Sequence, residues 1–284
     1  MAIAFTDAHI QEYHQLGFTV FRDLIPASLL TDLRREADRG REIARRLRGE
    51  QAQRLQPLVN YPEIAMKPFD DLYDLPALND GLNGLFAEAF GGPVDPHLSR
   101  GVTGVLYEPA ARPWSCGWHR DWRDNVRALD VAEWERRMGD IRFFNQINCA
   151  LYDDSCTWVV PGSHLRRDTP GEARAFPERP IPRPDTEGMS TEAAEAVCRA
   201  YTMRMPGALQ AHLNAGDYML YRNTLWHTGN YVPYRRRATI HDALCSQDYR
   251  TFFEKPPVRS KKADGSPPDW INPNAPEYRA IRTA

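Results

Sequence analysis

The chain has 284 residues and nearly balanced charge, 36 Lys plus Arg against 38 Asp plus Glu for a formal net charge of −2, so no global basic field recommends nucleic acid as a partner. No apolar run approaches the roughly 18 residues of a membrane span, and MAIAFTDAHIQEYHQLG lacks the basic-then-apolar order of a leader. Five scattered cysteines without a C-x-x-C pair argue against a disulfide framework and a zinc ribbon. The expectation is a soluble cytoplasmic protein whose partner is a small molecule.

Length fits one large domain, and we read 1–284 as a single unit. DAHIQEYHQLG has helical spacing ending at Gly17, FTVFRDLI is a β-branched and aromatic run, and PASLLTDLRREADRGREIARRL starts a long amphipathic helix behind Pro26. Residues 62–90 read as helical again, completing a helical N-terminal part over about 1–100. From about Gly101 the texture changes to short apolar or alternating runs: GVTGVLY, GWHRDW, IRFFNQINCALY, TWVVPG, DYMLYRNTLWH and RRRATIHDAL. Strands at such spacing indicate a sandwich, barrel or jelly roll over about 101–250. It is interrupted by a helical insertion at 123–140 and a Pro- and Arg-rich one at 165–215, insertions of a length that suits lids. A turn-rich tail occupies 255–284. The predicted class is mainly β with helical additions.

GWHRDW, at 117–122, poses the chemical question. In a strand His119 and Asp121 share one face, with Arg120 on the other. Two imidazoles and one carboxylate on one side of a divalent ion form the ligand set of non-heme Fe(II) oxygenases. The second histidine is then His227, at the end of GDYMLYRNTLWH. Residues so far apart in sequence meet only if a sheet folds back on itself. Downstream, YRRRATIHD supplies guanidinium groups fit to grip a carboxylate through paired donors. There Arg236, Ala238 and Ile240 share one face and Arg235, Arg237 and Thr239 the other, so one subset alone can point inward.

HRD at 119–121, TWVVPGSH at 157–164, GDYMLYRNTLWH at 216–227 and RRRA at 235–238 resemble, in order and spacing, the phytanoyl-CoA dioxygenase family of Fe(II)/2-oxoglutarate oxygenases. The opening YHQLGFTVFRDLIPASLLTDLRRE resembles that family's N-terminal helix-strand-helix, so the likeness spans roughly 10–250. It implies a double-stranded β-helix core (jelly roll, cupin-like), with iron on His119, Asp121 and His227. It also implies 2-oxoglutarate anchored by Arg236, with Arg237 the competitor. Many members follow the distal histidine with Gly-Ser; here Thr228 is the candidate to replace that serine, and the loop to the arginine is about two residues shorter. Gln146 and Asn148 are candidates for further co-substrate contacts. In related halogenases a small residue takes the carboxylate position, so Asp121 argues for hydroxylation or a related oxidation, with O2 consumed and 2-oxoglutarate decarboxylated to succinate and CO2. The expected substrate is a small organic molecule, a natural product by preference.

Other residues receive plainer readings. His97, His212 and His241 have no ligand-like partner at strand spacing and read as surface or satisfied core groups. Trp118 reads as core, while Arg120, Arg123, Arg127 and Arg222 read as ordinary surface arginines. Two rival functions stand beside this one: a zinc-type hydrolase or isomerase using the same three ligands and a metal-activated water, and a non-catalytic jelly-roll binding protein in which the HxD pair is incidental.

Overall fold

A glycine closes the first helix: Gly17 at φ 83° donates its N–H to Tyr13 O and ends α1 (Asp7–Leu16) before β1 (Phe18–Phe21). There follow α2 (Ala27–Arg48), β2 (Arg54–Leu55), α3 (Lys67–Tyr73), α4 (Pro76–Phe90), β3 (Gly104–Tyr107), β4 (Trp114–Ser115), α5 (Val131–Arg137), β5 (Asn145–Ala150), β6 (Thr157–Val159), α6 (Pro170–Ala175), α7 (Thr191–Met203), β7 (Leu209–Gln210), β8 (Tyr218–Arg222), β9 (His227–Tyr231) and β10 (Ala238–Leu244). The computed structural model describes residues 5–121, 123–124, 131–142, 145–178 and 181–244. The expected tail at 255–284, Trp122, Arg127 and Cys245 lie outside the described residues.

The helix-strand-helix opening and helices within 62–90, 123–140 and 165–215 are present as expected. Two expectations change. The described helices hold more residues than the strands, so the class is mixed helix and antiparallel sheet rather than mainly β. Residues 117–121 join their neighbour through one isolated bridge, His119 to His227, instead of running as a strand.

All strand pairings among the described residues are antiparallel. Six strands lie in the order β1-β8-β5-β10-β3-β2 and four in the order β4-β9-β6-β7. Residues paired across antiparallel strands share a face, so the register sorts the side chains of the larger sheet. One face carries Ile240 beside Val105 and Cys149, with Ile147 and Leu220 further along, and packs on Leu33, Leu72, Leu82 and Phe86 of α2–α4. Burying each such side chain contributes about 1.5–3 kcal/mol, which makes this the main stabilising layer. α2 can settle on it because Gly40 has no side chain; a Cβ there would stand 2.5 Å from the Tyr107 hydroxyl.

The opposite face carries Tyr221, Gln146, Asn148, Thr239 and His241, and it turns to the smaller sheet: Asn148 Nδ2 donates to Thr157 Oγ1 on β6 at 3.0 Å. A smaller apolar cluster with Ala150, Val159, Met219 and Leu225 also joins the two sheets. No described helix is long and apolar enough to cross a membrane.

On the helix-facing side one acid is sealed in. Asp242 accepts hydrogen bonds from the Tyr73 hydroxyl, from Thr103 Oγ1 at 3.0 Å and from its neighbour's N–H. Burial dominates and pushes its pKa up to about 7, against hydrogen bonds that act to lower it. The folded value exceeds the unfolded one, so this group's stabilisation is complete below about pH 4 and is lost as pH rises to about 7, at up to about 1.4 kcal/mol per pH unit. Denaturant unfolding between pH 4.5 and 7.5 should show wild-type stability falling more steeply with pH than that of Asp242→Asn; equal slopes would contradict this account.

Candidate metal centre

The bridge between His119 and His227 is closed by two backbone hydrogen bonds, His119 N to His227 O at 3.1 Å and His227 N to His119 O at 3.0 Å. It sets the imidazoles side by side, with ring centroids 4.3 Å apart. Each ring is oriented by its own backbone: Nδ1 of His119 meets Gly117 O at 2.7 Å and Nδ1 of His227 meets Leu225 O at 2.8 Å. A carbonyl accepts only, so both Nδ1 atoms carry the proton and both Nε2 atoms present a lone pair.

Those Nε2 atoms converge on Asp121, that of His119 3.6 Å from Oδ1 and that of His227 3.7 Å from Oδ2. One ligand atom from each residue lies within 4.8 Å of the others. Metal–ligand bonds of about 2.1 Å put neighbouring ligand atoms about 3 Å apart, so a slight closure accommodates a first-row divalent ion. Burial and then the adjacent His119 push the His227 pKa down to about 4, which keeps that ring neutral and able to ligate.

Asp121 is held on several sides. Its N–H donates to Asn223 O, its carbonyl accepts from Trp134 Nε1 of α5 at 3.0 Å, and the Gln146 amide donates to its Oδ2. Between the ligands, Arg120 turns away from the site as alternation requires. It is no surface residue, however. Fully buried, it donates to Arg166 O at 2.7 Å, pairs with Asp168 at 3.1 Å and lies over the Trp226 ring. Arg123 pairs with Asp124 and Asp168, and Arg222 donates to the carbonyls of Met138 and Asp140. The surface reading of these three arginines is corrected: each is withdrawn from solvent, drawn in by carbonyls and carboxylates of the insertions.

The distal arginines are sorted by the same alternation. Ala238 and Ile240 face the helices, and Arg236 goes with them. Its side chain is 54% exposed, pairs with Asp38 at 2.7 Å and lies over Tyr152, so the expectation that Arg236 points inward is corrected. Arg237 takes the inward face with Thr239. It is buried, its Nε donates to Asp154 Oδ2 at 2.9 Å, and it lies 4.9 Å over the Tyr231 ring. Burial opposes its charge, but Asp154 outweighs that and holds its pKa above the ordinary value. Its Nη1 has no hydrogen-bond partner among the described residues. Outside, Glu108 accepts from Arg237 N at 2.8 Å and is gripped by Arg41 and Arg45 of α2, so the helix seat fixes this strand end.

Of the other expected contacts, Gln146 reaches Asp121, and Asn148 lies inward, bonded to Thr157 and to His241. Thr228 is not brought to the metal side. It pairs with Trp158 on the face opposite His227, and its hydroxyl donates to Cys116 O at 2.7 Å. Two inward residues were missed. His241, read as surface or core, lines the space between the sheets, and Arg54 enters it from β2; a two-residue strand carries no periodic signal.

No family model matches the sequence, and no curated protein matches it. Solved structures do share its fold. AviO1 from Streptomyces viridochromogenes Tue57 is 18% identical, over 87% of this chain and 97% of that one, with a TM-score of 0.54. EctD from S. alaskensis with bound Fe is 16% identical, over 87% and 79%, with a TM-score of 0.53. The epimerase SnoN in complex with Fe3+, alpha ketoglutarate and nogalamycin RO is 15% identical, over 92% and 94%, with a TM-score of 0.50. At these identities the likeness is one of fold.

Two outcomes check the site. Asp121→Ala should weaken Co(II) binding, read by its visible absorption, by more than about 100-fold and Gln146→Ala by about 10-fold or more, since even residues that only orient a ligand carry such factors. Arg237→Ala strands the buried Asp154 and should cost about 3–5 kcal/mol in urea unfolding, against less than about 1 kcal/mol for exposed Arg236→Ala.

Proposed function

We propose that this protein is an Fe(II)- and 2-oxoglutarate-dependent oxygenase of the phytanoyl-CoA dioxygenase type. In this reading its two sheets form a double-stranded β-helix, one catalytic unit with the N-terminal helices, and it hydroxylates or otherwise oxidises an aliphatic C–H of a small organic molecule. The observation that carries the reading is the pair of Nε2 lone pairs converging with Asp121, in a space that also holds the buried Arg237. The iron in the EctD structure and the iron with alpha ketoglutarate in the SnoN structure, on a similar fold, support the same pairing.

His119, Asp121 and His227 would hold the metal. When bound, Fe(II), 2-oxoglutarate and O2 supply the oxidation of a C–H bond with release of succinate and CO2. The chain's own part is placement. Carbonyls of Gly117 and Leu225 keep both imidazoles in the ligating tautomer, and the Gln146 amide restrains Asp121. Arg237, rather than Arg236, is the residue positioned to receive the co-substrate's distal carboxylate, because its Nη1 is a buried donor without a partner among the described residues. Tyr231 supports that guanidinium and is itself stacked on Trp114, with centroids 4.8 Å apart and planes 12° apart. A hydrolase working through a metal-bound water has no use for that donor.

Anaerobic titration of the iron-loaded protein with 2-oxoglutarate should produce the weak visible charge-transfer band of an Fe(II) chelate, absent in Asp121→Ala. Folded, iron-loaded wild type without the band would transfer the weight to the zinc enzyme or the binding module.

A further inference from the structure

The segment that carries Asp121 is held from outside by two arginines, one on each side of it in sequence. Arg120 and Asp124 close a tight loop around the ligand: Arg120 N donates to Asp124 Oδ2 at 2.8 Å, and Asp124 N donates to Arg120 O at 3.2 Å. Arg123 grips both oxygens of the same Asp124, with Nε to Oδ1 and Nη2 to Oδ2 each at 3.0 Å. The two guanidinium groups then meet at one oxygen of the 165–215 insertion: Asp168 Oδ1 lies 2.9 Å from Arg123 Nη1 and 3.1 Å from Arg120 Nη2. Both also lie over the ring of Trp226, the neighbour of His227, at 4.7 and 5.2 Å from its centroid.

Asp168 is presented on a turn that is fixed from within. Arg166 clasps Glu172 through two bonds of 2.9 and 2.7 Å, and Glu172 and Thr169 exchange bonds in a capping box at the start of α6. Arg166 O takes a further bond from Arg120 at 2.7 Å. The side chains of Arg120, Arg123 and Asp168 are 0%, 11% and 18% exposed. Two cations this close repel strongly when withdrawn from water, and the Asp168 carboxylate holds them together. A buried ion pair is weak evidence for stability, since apolar packing often does as well; what this one fixes is the arrangement of residues 120–124, which contain Asp121.

Resting on the metal reading of His119, Asp121 and His227, we propose that Asp168 is a positioning residue for the metal centre. Through Arg120 and Arg123 it sets the placement of the Asp121 carboxylate, so that seating of the insertion ahead of α6 and retention of the metal are coupled. Loss of the Asp168 charge lets the two guanidinium groups separate and carries the loop around Asp121 with them. The coupling runs both ways, so an occupied centre holds the insertion in its seat.

The test is Co(II) binding to the full chain, read by the visible absorption of the bound ion, whose bands report ligand geometry. Asp168→Asn, which keeps the shape and removes the charge, should weaken Co(II) binding about 10-fold or more and alter the bands at saturation, and Asp168→Glu should recover part of both. Arg167→Ala, which breaks an exposed pair with Glu135 from the neighbouring position, should leave both as in the wild type. A change of band shape at saturation is not imitated by a reduced folded fraction; if Asp168→Asn does not fold, Arg123→Gln removes the other end of the pair and is read in the same way. In the wild type, Co(II) should also slow amide exchange over residues 166–175, a measurement that needs no variant. Wild-type affinity and bands in folded Asp168→Asn, an equal loss in Arg167→Ala, or exchange over 166–175 unchanged by Co(II) would overturn the proposal and leave Asp168 a structural charge. A wild type that binds no Co(II) would overturn the metal reading itself, and this assignment with it.

Discussion

The alternation of side chains along β10 is the constraint on which the rest of the molecule depends. Its even positions are mostly apolar and face helices, its odd positions are mostly polar and face the smaller sheet, and no residue can serve both sides. The helix side provides most of the apolar burial. The inner side then has to satisfy a set of polar groups away from bulk water, and it does so by pairing them across the gap: Asn148 with Thr157 and His241, and Thr239 and Arg237 with Asp154. Beside these satisfied pairs the candidate metal ligands converge, with Gln146 bonded to Asp121.

The ligand geometry is largely a property of the backbone. One antiparallel bridge sets His119 against His227, and carbonyls two residues back in each segment select the tautomer. The insertions secure the segment from outside. Arg120 and Arg123 reach from the ligand segment to Asp168 and Arg166, so the chain leading into α6 is tied directly to the residues that flank Asp121. Displacement of that insertion would be felt at the carboxylate ligand, a coupling carried by buried charge-assisted bonds rather than by apolar contact.

Charge is apportioned unevenly within the inner space. Arg237 reaches it already neutralised by Asp154, whereas Arg54, half-buried on the edge strand, makes no ion pair among the described residues.

The candidate ligands His119, Asp121 and His227 could be picked out in the sequence because the chemistry restricts residue type and the two-residue spacing restricts direction; the helices and most strands were legible from periodicity. Alternation narrowed the distal arginines to one of two faces, but only the packing of Ala238 and Ile240 against α2–α4 decided that Arg237 is the inward one. Arg120 and Arg222 misled because charge in a sequence implies solvent, and their carbonyl partners belong to insertions whose path cannot be read from composition. Arg54 was silent because a strand of two residues has no pattern, and its face is set only by pairing with β3. The sequence by itself determined which residues can bind a metal, since that is fixed by side-chain chemistry. Which charges share the space with that metal was decided only by the tertiary structure, because burial and pairing depend on what each strand is packed against.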